Sequence, residues 1–153
     1  MAFPSDIGTK ADDLTIAWGR ARQFASSTKR DAQNVRALSV AGTLAASNVL
    51  DFATRLADAR FEMQKSAAVP GIGEYARSQI NDPAINIAAE FTAMVNAIDA
   101  CIAWVVANFP KDAGGFLLAK TIGADGRTID RVFTAGSTAT LRTQLDALIA
   151  TID

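Results

Sequence analysis

The chain has 153 residues, half of them apolar and a fifth charged, so it can bury a core as one domain without disulfides. Its 15 basic and 16 acidic side chains nearly cancel, which argues against a surface built mainly to attract nucleic acid or anionic membranes. It has no histidine and one cysteine, which removes His-dependent nucleophile pairs, the commonest zinc ligand and any intrachain disulfide. We therefore expect a single domain over residues 1–153 that is not an enzyme and holds no cofactor or metal.

The N-terminal residues, MAFPSDIGTKADD, have no basic leader followed by an apolar stretch. They therefore predict no secretory signal, and a reduced cytoplasm is compatible with the single cysteine.

Two helices are predicted in the N-terminal part of the chain. Ser5 or Asp6 can cap a first helix that runs to about Ser26, because apolar residues then recur at intervals near three and four. Thr28 and Asp31 have the spacing of a capping box, which predicts that a second helix begins there.

The second helix has the most regular apolar spacing in the chain. Steps of three and four connect one seam: Val35, Leu38, Gly42, Ala45, Val49, Phe52, Leu56, Ala59 and Met63. Such a heptad seam predicts helix packing along the whole of residues 35–63. Proline and two glycines in residues 69–73 then end the helix, and a short helix over residues 74–80 follows.

A long apolar helix is predicted next, with Asp82 as its cap and Pro83 in its first position. Its second half, IDACIAWVVANF, is apolar over much of its circumference, which is typical of a helix buried among neighbours. Residues 85–109 have the length of a membrane span, but three polar residues interrupt them: Glu90, Asn96 and Asp99. We therefore expect a core helix and no membrane span.

The period of the pattern changes after residue 115. Residues 116–122 and 128–133 have the composition of strands and flank a glycine-rich turn, so we predict a β-hairpin over about 116–133. Thr134 or Ser137 can cap a closing helix that has leucines on one face. The predicted fold is mainly α: a bundle of about four principal helices with a β-hairpin inserted before the C-terminal helix.

The few residues that suggest chemistry have simpler interpretations. Glu90 and Asp99 lie about 180° apart on one helix, so they cannot form a carboxylate pair there, and each should meet solvent, a cap or another chain. Asp125-Gly126 lacks the other ligands of a calcium loop, so a turn is favoured. Cys101 lies among apolar residues and is expected to be a buried thiol with a raised pKa.

Five basic residues cluster near the predicted junction of the first two helices: Arg20, Arg22, Lys29, Arg30 and Arg36. They are weak candidates for phosphate contacts if they converge in space, because no aromatic residues alternate with them as base-stacking proteins require. A small regulatory or nucleic-acid-binding helical module is therefore the alternative function, after a structural one.

Three segments, in this order, resemble a family of small proteins encoded among the morphogenesis genes of tailed bacteriophages and prophages: VPGIGEYARSQINDPAINIAAEF, WVVANFPKD and GFLLAKTIGADGRTIDRVFT. The resemblance spans about residues 69–152. It implies a structural or assembly protein of the virion, in the head-to-tail connector, neck or tail, with several copies in a ring beside other virion proteins. The implied location is the virion, and the host cytoplasm during assembly. The family offers no motif with a known role, so no functional residue is implied.

The hairpin is the candidate contact surface for such a ring. An unpaired strand edge offers free backbone donors and acceptors, and a ring repeats a contact between two different surfaces. We predict four apolar anchors and three polar contacts on it: Phe116, Ile122, Ile129 and Phe133, with Lys120, Asp130 and Arg131. The alternative, in which the hairpin only covers its own core, stays equally open.

Overall fold

A computed structural model describes the backbone of residues 6–122 and 125–152, and the side chains of residues 13–120, 122 and 125–152. The helices are α1 (Asp6–Ala41), α2 (Ala46–Ala67), α3 (Ile72–Ile80), α4 (Ile87–Asn108) and α5 (Ala139–Ile152). The strands are β1 (Leu44–Ala45), β2 (Lys120–Ile122), β3 (Thr128–Asp130) and β4 (Val132–Phe133), and a 3₁₀ turn, Gly136–Thr138, precedes α5.

Four helices, α1, α2, α4 and α5, form the bundle, and each packs against two of the others. Helix α2 runs antiparallel to α1, because Arg55 pairs with Asp31 at one level and Ser66 donates to the Ala17 carbonyl at another. Helix α5 also runs antiparallel to α1. Thr138, just before α5, bonds Ser39 near the end of α1, whereas the last residues of α5 line a pocket with the N-terminal half of α1. The predicted mainly α bundle with a hairpin before the C-terminal helix is confirmed.

The apolar seam of the predicted second helix is buried but divided between two helices. Its later members, Val49, Phe52, Leu56, Ala59 and Met63, are at most 1% exposed along one face of α2. Its earlier members belong to α1 and to the connection that follows. Packing along a heptad face is therefore confirmed, while a single helix through residues 35–63 is wrong.

The predicted helix boundary at Thr28 is also wrong. Thr28 lies inside α1 and is 4% exposed, on the same buried face as Ala21, Ala32 and Val35. Continuous packing of this face outweighs the local capping signal, as tertiary contacts often outweigh local propensity. The chain instead leaves α1 at Gly42, where the Thr43 amide donates to the Leu38 carbonyl at 3.0 Å and the Gly42 amide donates to the Ser39 carbonyl at 3.2 Å. This is the Schellman arrangement, with Gly42 at a φ of 70°.

Helix α4 begins four residues later than the sequence predicts. Asn86 caps it by accepting from the Ala89 amide at 3.1 Å, whereas Asp82 accepts from the Ala84 amide within a turn. The prediction that Asp82 caps the helix is therefore wrong. By length and composition α4 could cross a membrane, a test that core helices also pass. Its two apolar stripes pack into the bundle and include Phe91, Ile98 and Cys101.

The hairpin is confirmed in β2 and β3, which pair antiparallel with Lys120 opposite Asp130 and Ile122 opposite Thr128. The first strand is shorter than predicted, because residues 116–119 lie outside β2 and Leu117 bridges Lys111 instead. The final two residues of the predicted hairpin also lie outside it. They form β4, which pairs with β1 at the α1–α2 connection, with Phe133 opposite Leu44. The root of the hairpin is therefore fixed at one end of the bundle.

Candidate subunit-contact site

Asp130 joins the hairpin to helix α2. The N-cap residue of α2 is Ala45, which has no side-chain acceptor, and Asp130 takes over this role from strand β3. One carboxylate oxygen accepts from the Ser47 amide at 3.0 Å, and the other accepts from the Ser47 hydroxyl. The Ser47 hydroxyl and then the Ser47 amide hold the pKa of Asp130 below its ordinary value. Asp130 thus satisfies an orphan helix amide from outside the helix.

Arg131 fixes the hairpin to the end of α4. Its guanidinium carbon lies 4.3 Å from the ring centroid of Phe133 and 5.3 Å from that of Phe109. Its Nη2 donates to the Asn108 carbonyl at 2.9 Å, which places a cation at the C-terminus of the helix. Its backbone carbonyl accepts from the Ala46 amide at 2.6 Å.

Phe133 is part of the core. It is 7% exposed, and its ring centroid lies 5.7 Å from that of Trp104 and 5.6 Å from that of Phe109. Three of the seven residues predicted as contacts, Asp130, Arg131 and Phe133, therefore hold the root of the hairpin on its own bundle. At the root the hairpin covers its own core, as the alternative interpretation expects.

The other predicted contact residues point outward. Phe116 is 74% exposed, Ile122 80% and Ile129 49%, and Lys120 is exposed beside them. Two further apolar residues of the same region that the sequence reasoning left out, Val132 and Leu118, are 54% and 38% exposed. We call this set the hairpin surface: Phe116, Leu118, Lys120, Ile122, Ile129 and Val132. Phe116 and Leu118 lie in the loop before β2, and Val132 lies in β4 at the root. Ile122 and Ile129 are on the hairpin itself, where the register places them on opposite faces of the two-stranded sheet.

A buried polar cluster supports the same end of the bundle. Ser39 and Thr138 are fully buried and share a hydrogen bond of 2.5 Å between their hydroxyls. Arg142 donates through Nη1 to the Ser39 hydroxyl at 2.9 Å and to the Ala135 carbonyl at 2.6 Å. Since buried hydroxyls are costly without partners, this cluster fixes the start of α5 against the end of α1.

The five basic candidates all lie on α1 but not on one surface. Arg20 forms a two-pronged ion pair with Glu62 of α2, and Arg36 bonds Asp146 of α5 at 2.6 Å. Arg22, Lys29 and Arg36 recur every seven residues and so share one side of the helix. Arg20 and Arg30 lie on other sides, and Arg22 and Arg30 are exposed. The structure therefore does not bring the five side chains together.

The residues considered for chemistry are buried in the core, paired with another side chain, exposed to solvent or part of a turn. Burial raises the pKa of the Cys101 thiol to about 12, which bears out the expected buried thiol. Asp99 of α4 accepts from Arg60 of α2 at 2.6 Å, and Glu90 is exposed in the first turn of α4. The Arg127 amide donates to Asp125 beside Gly126, which has a φ of 78°, as a turn requires. Within the described parts of the chain, no group of three His, Cys, Asp or Glu residues is placed to hold a metal ion.

An apolar pocket lies at the end of the bundle opposite to the hairpin. Its volume is about 160 Å³, and all five helices and the α3–α4 connection line it. Ala25, Ile80 and Phe91 contribute apolar surface, and Arg22 and Glu90 contribute charge. The indole nitrogen of Trp18, another lining residue, is buried with no hydrogen-bond partner among the described residues. The sequence reasoning did not identify this pocket.

The fold and these surfaces define a helical bundle with a fixed hairpin root, exposed apolar residues on and beside the hairpin, and an apolar pocket at the far end. Comparison with family models, with curated proteins and with solved structures gives no match.

Proposed function

We propose that the protein is a non-enzymatic structural or assembly component of a tailed-phage virion, present in several copies in the head-to-tail connector, neck or tail. The observation that carries this proposal is the exposure of Ile122 on a hairpin whose root is fixed to its own bundle, together with the exposure of Phe116 in the loop that leads into the hairpin. The resemblance of residues 69–152 to phage morphogenesis proteins supports the virion as the setting.

The hairpin surface has the properties of a contact surface. Exposed apolar side chains favour association, because each Å² of apolar surface removed from water contributes roughly 25 cal/mol. The fixed root limits the conformational entropy that the hairpin loses on binding, and this increases the net affinity. Lys120, within the same surface, supplies a charge that selects among partners.

The backbone of the hairpin adds a second means of contact. Strands β2 and β3 form a two-stranded sheet, so each has an outer edge that no other described strand covers. A neighbouring chain can pair with such an edge, and a two-stranded sheet alone is marginally stable in water. Copies of the same chain and other virion proteins are the partners that this role requires.

Purified virions test the proposal. Particles from a host strain that carries this gene in a phage or prophage are separated on a density gradient, washed at high salt and quantified by mass spectrometry. We expect the chain to remain with intact particles at a fixed ratio to the other virion proteins. Absence from both mature particles and assembly intermediates would contradict the proposal.

Two matched variants connect this test to the hairpin. Phe116→Glu places a charge on the hairpin surface, and Phe61→Glu places the same charge on the outer face of α2, where Phe61 is 63% exposed. We expect Phe116→Glu to reduce the yield of infectious particles and Phe61→Glu to leave it near the wild-type level. Equal yields from the two variants would remove the hairpin from the proposal.

A further inference from the structure

We propose that the apolar pocket binds a small neutral molecule of aromatic-ring size that carries one hydrogen-bond acceptor, with Trp18 as the donor. The pocket lies at the end of the bundle opposite to the hairpin, so this site is separate from the candidate subunit contact. The proposal goes beyond the proposed function and does not depend on the virion as the setting of the protein.

The size and lining of the pocket favour an apolar ligand. All of its lining residues are apolar except Arg22, Glu90 and Thr151. Its volume is about 160 Å³, and an apolar cavity of about 150 Å³ accommodates benzene. Ile80, in the lining, is 40% exposed, so the pocket opens to solvent on that side and a ligand can enter there. These features select a molecule built on one aromatic ring.

The indole N–H of Trp18 specifies the polar group of the ligand. Trp18 lines the pocket, and its indole nitrogen is buried with no hydrogen-bond partner among the described residues. An indole nitrogen can only donate, and a buried donor without a partner has a cost in free energy that an acceptor removes. Because the nitrogen is buried before binding, the ring must turn its N–H towards the ligand, and side chains commonly reorient in this way on binding. A carbonyl oxygen on the ligand would accept this bond.

The charges of the pocket favour a neutral ligand. Arg22 and Glu90 have opposite charges, and neither forms an ion pair with the side chains that the structure describes. A ligand carboxylate attracted by Arg22 would be repelled by Glu90, and a ligand amine would meet the reverse. An unpaired charge is also costly to move from water into an apolar site. An aromatic ketone has the required size, acceptor and neutrality.

Two probes of nearly equal shape test the proposal on the full-length protein. Acetophenone has one ring and one carbonyl acceptor, and α-methylstyrene has a CH₂ group in place of that oxygen. The chain has two tryptophans, so NMR titrations follow two indole N–H signals, and Trp18→Phe assigns one of them. Benzoate and benzylamine are the charged counterparts.

We expect acetophenone to bind wild type roughly three- to tenfold more tightly than α-methylstyrene, which is the gain that one hydrogen bond provides. It should also shift the indole proton signal of Trp18. Trp18→Phe removes the donor and keeps an aromatic ring, so it should bind the two probes equally. Trp104→Phe is the matched control, because Trp104 lies outside the lining and its loss should leave the preference unchanged. Benzoate and benzylamine should bind wild type more weakly than acetophenone does.

A variant that fills the pocket tests where the probes bind. Ala25→Phe places a ring inside the lining, so both neutral probes should lose measurable binding. Ser26→Phe adds the same ring at the next position, which is exposed and outside the lining, and should bind as wild type does. Circular dichroism shows whether each variant is folded, and Ala25→Leu replaces Ala25→Phe if that variant does not fold.

Any of five results would overturn the proposal: no binding of acetophenone up to its solubility limit, equal binding of the two neutral probes by wild type, tighter binding of a charged probe, a preference that survives Trp18→Phe, or unchanged binding by a folded, pocket-filled variant. The proposed function fails separately, because it depends on the hairpin and on the presence of the chain in virions.

Discussion

Asp130 caps the N-terminus of helix α2 through Ser47, which lies 83 positions earlier in the chain. This one contact connects the hairpin to the bundle where α2 has no cap of its own. Together with Arg131 and Phe133 it fixes the root of the hairpin to the fold, while Ile122 and Ile129 on its strands remain exposed. At the root, these contacts agree with the interpretation in which the hairpin covers its own core.

Replacing Asp130 should change how stability depends on pH. Its pKa is lowered in the folded protein from an ordinary value of 3.8, so its stabilising contribution is complete above that value and is lost as the pH falls through the folded pKa. At pH 7 we expect Asp130→Asn to unfold at a lower temperature than wild type. The difference should shrink below about pH 3.8, as thermal unfolding across a pH series would show.

Asp125→Asn is the matched control, since Asp125 is an exposed carboxylate of the hairpin turn. Its unfolding temperature at pH 7 should equal that of wild type. A difference between Asp130→Asn and wild type that is constant from pH 7 to pH 2 would disprove the charged cap.

Two glycines test where the first helix ends. Gly19 lies within α1 with open space around it, so Gly19→Ala should stabilise the protein by about 0.5–1 kcal/mol. Gly42 has a φ of 70°, and Gly42→Ala should destabilise it by roughly 1–2 kcal/mol, although its Cβ would meet the Ala135 nitrogen at an ordinary 3.6 Å. Urea unfolding gives both values, and effects of the same sign would contradict the helix end at Gly42.

Two phenylalanines of α2 test the buried seam. Phe52 is fully buried, so Phe52→Ala should lower the free energy of unfolding by about 3–5 kcal/mol. Phe61 is 63% exposed on the outer face, and Phe61→Ala should change it by no more than about 0.5 kcal/mol. Chemical denaturation measures both. A loss at Phe61 as large as that at Phe52 would mean that α2 presents a different face to the core.

The reactivity of Cys101 tests the packing of α4. Its thiol is fully buried and its pKa is raised to about 12, so a disulfide reagent at pH 8 should label it only after the protein unfolds. Ala103 is exposed two residues away, and Cys101→Ala combined with Ala103→Cys should be labelled rapidly. Equal labelling rates in the native state would contradict a buried α4 stripe.

The sequence predicts what depends on periodicity and neighbours, and misses what depends on distant contacts. The seam from Val49 to Met63 predicts a buried face because its spacing is local. The end of α1 was predictable as well, since Gly42 is the residue type that a Schellman end requires. The capping-box spacing at Thr28 instead led to a predicted helix boundary 14 residues too early. Long-range packing of Ala21, Ala32 and Val35 decided that α1 continues past Thr28.

The candidate site was predictable in part for the same reason. The strand composition of residues 116–122 and 128–133 led to Phe116, Ile122 and Ile129, which are exposed, although Phe116 lies in the loop before β2. Asp130, Arg131 and Phe133 have the same local pattern, but their roles depend on Ser47, Asn108 and Trp104, which come from other elements. The pocket that includes Ile80 and Phe91 is formed by all five helices and the α3–α4 connection, and no local pattern specifies it.

The central claim is that a hairpin with a fixed root binds other subunits through exposed apolar residues on it and in the loop before it. It is tested most directly by the mass and fold of one double variant, Phe116→Asp with Ile122→Asp. Light scattering and circular dichroism are recorded on the same sample of the full-length protein. The account predicts a monomer with the helical content of wild type and a free energy of unfolding within about 0.5 kcal/mol of it, because both side chains are exposed. A variant that assembles as wild type does, or one that loses its fold, would contradict it.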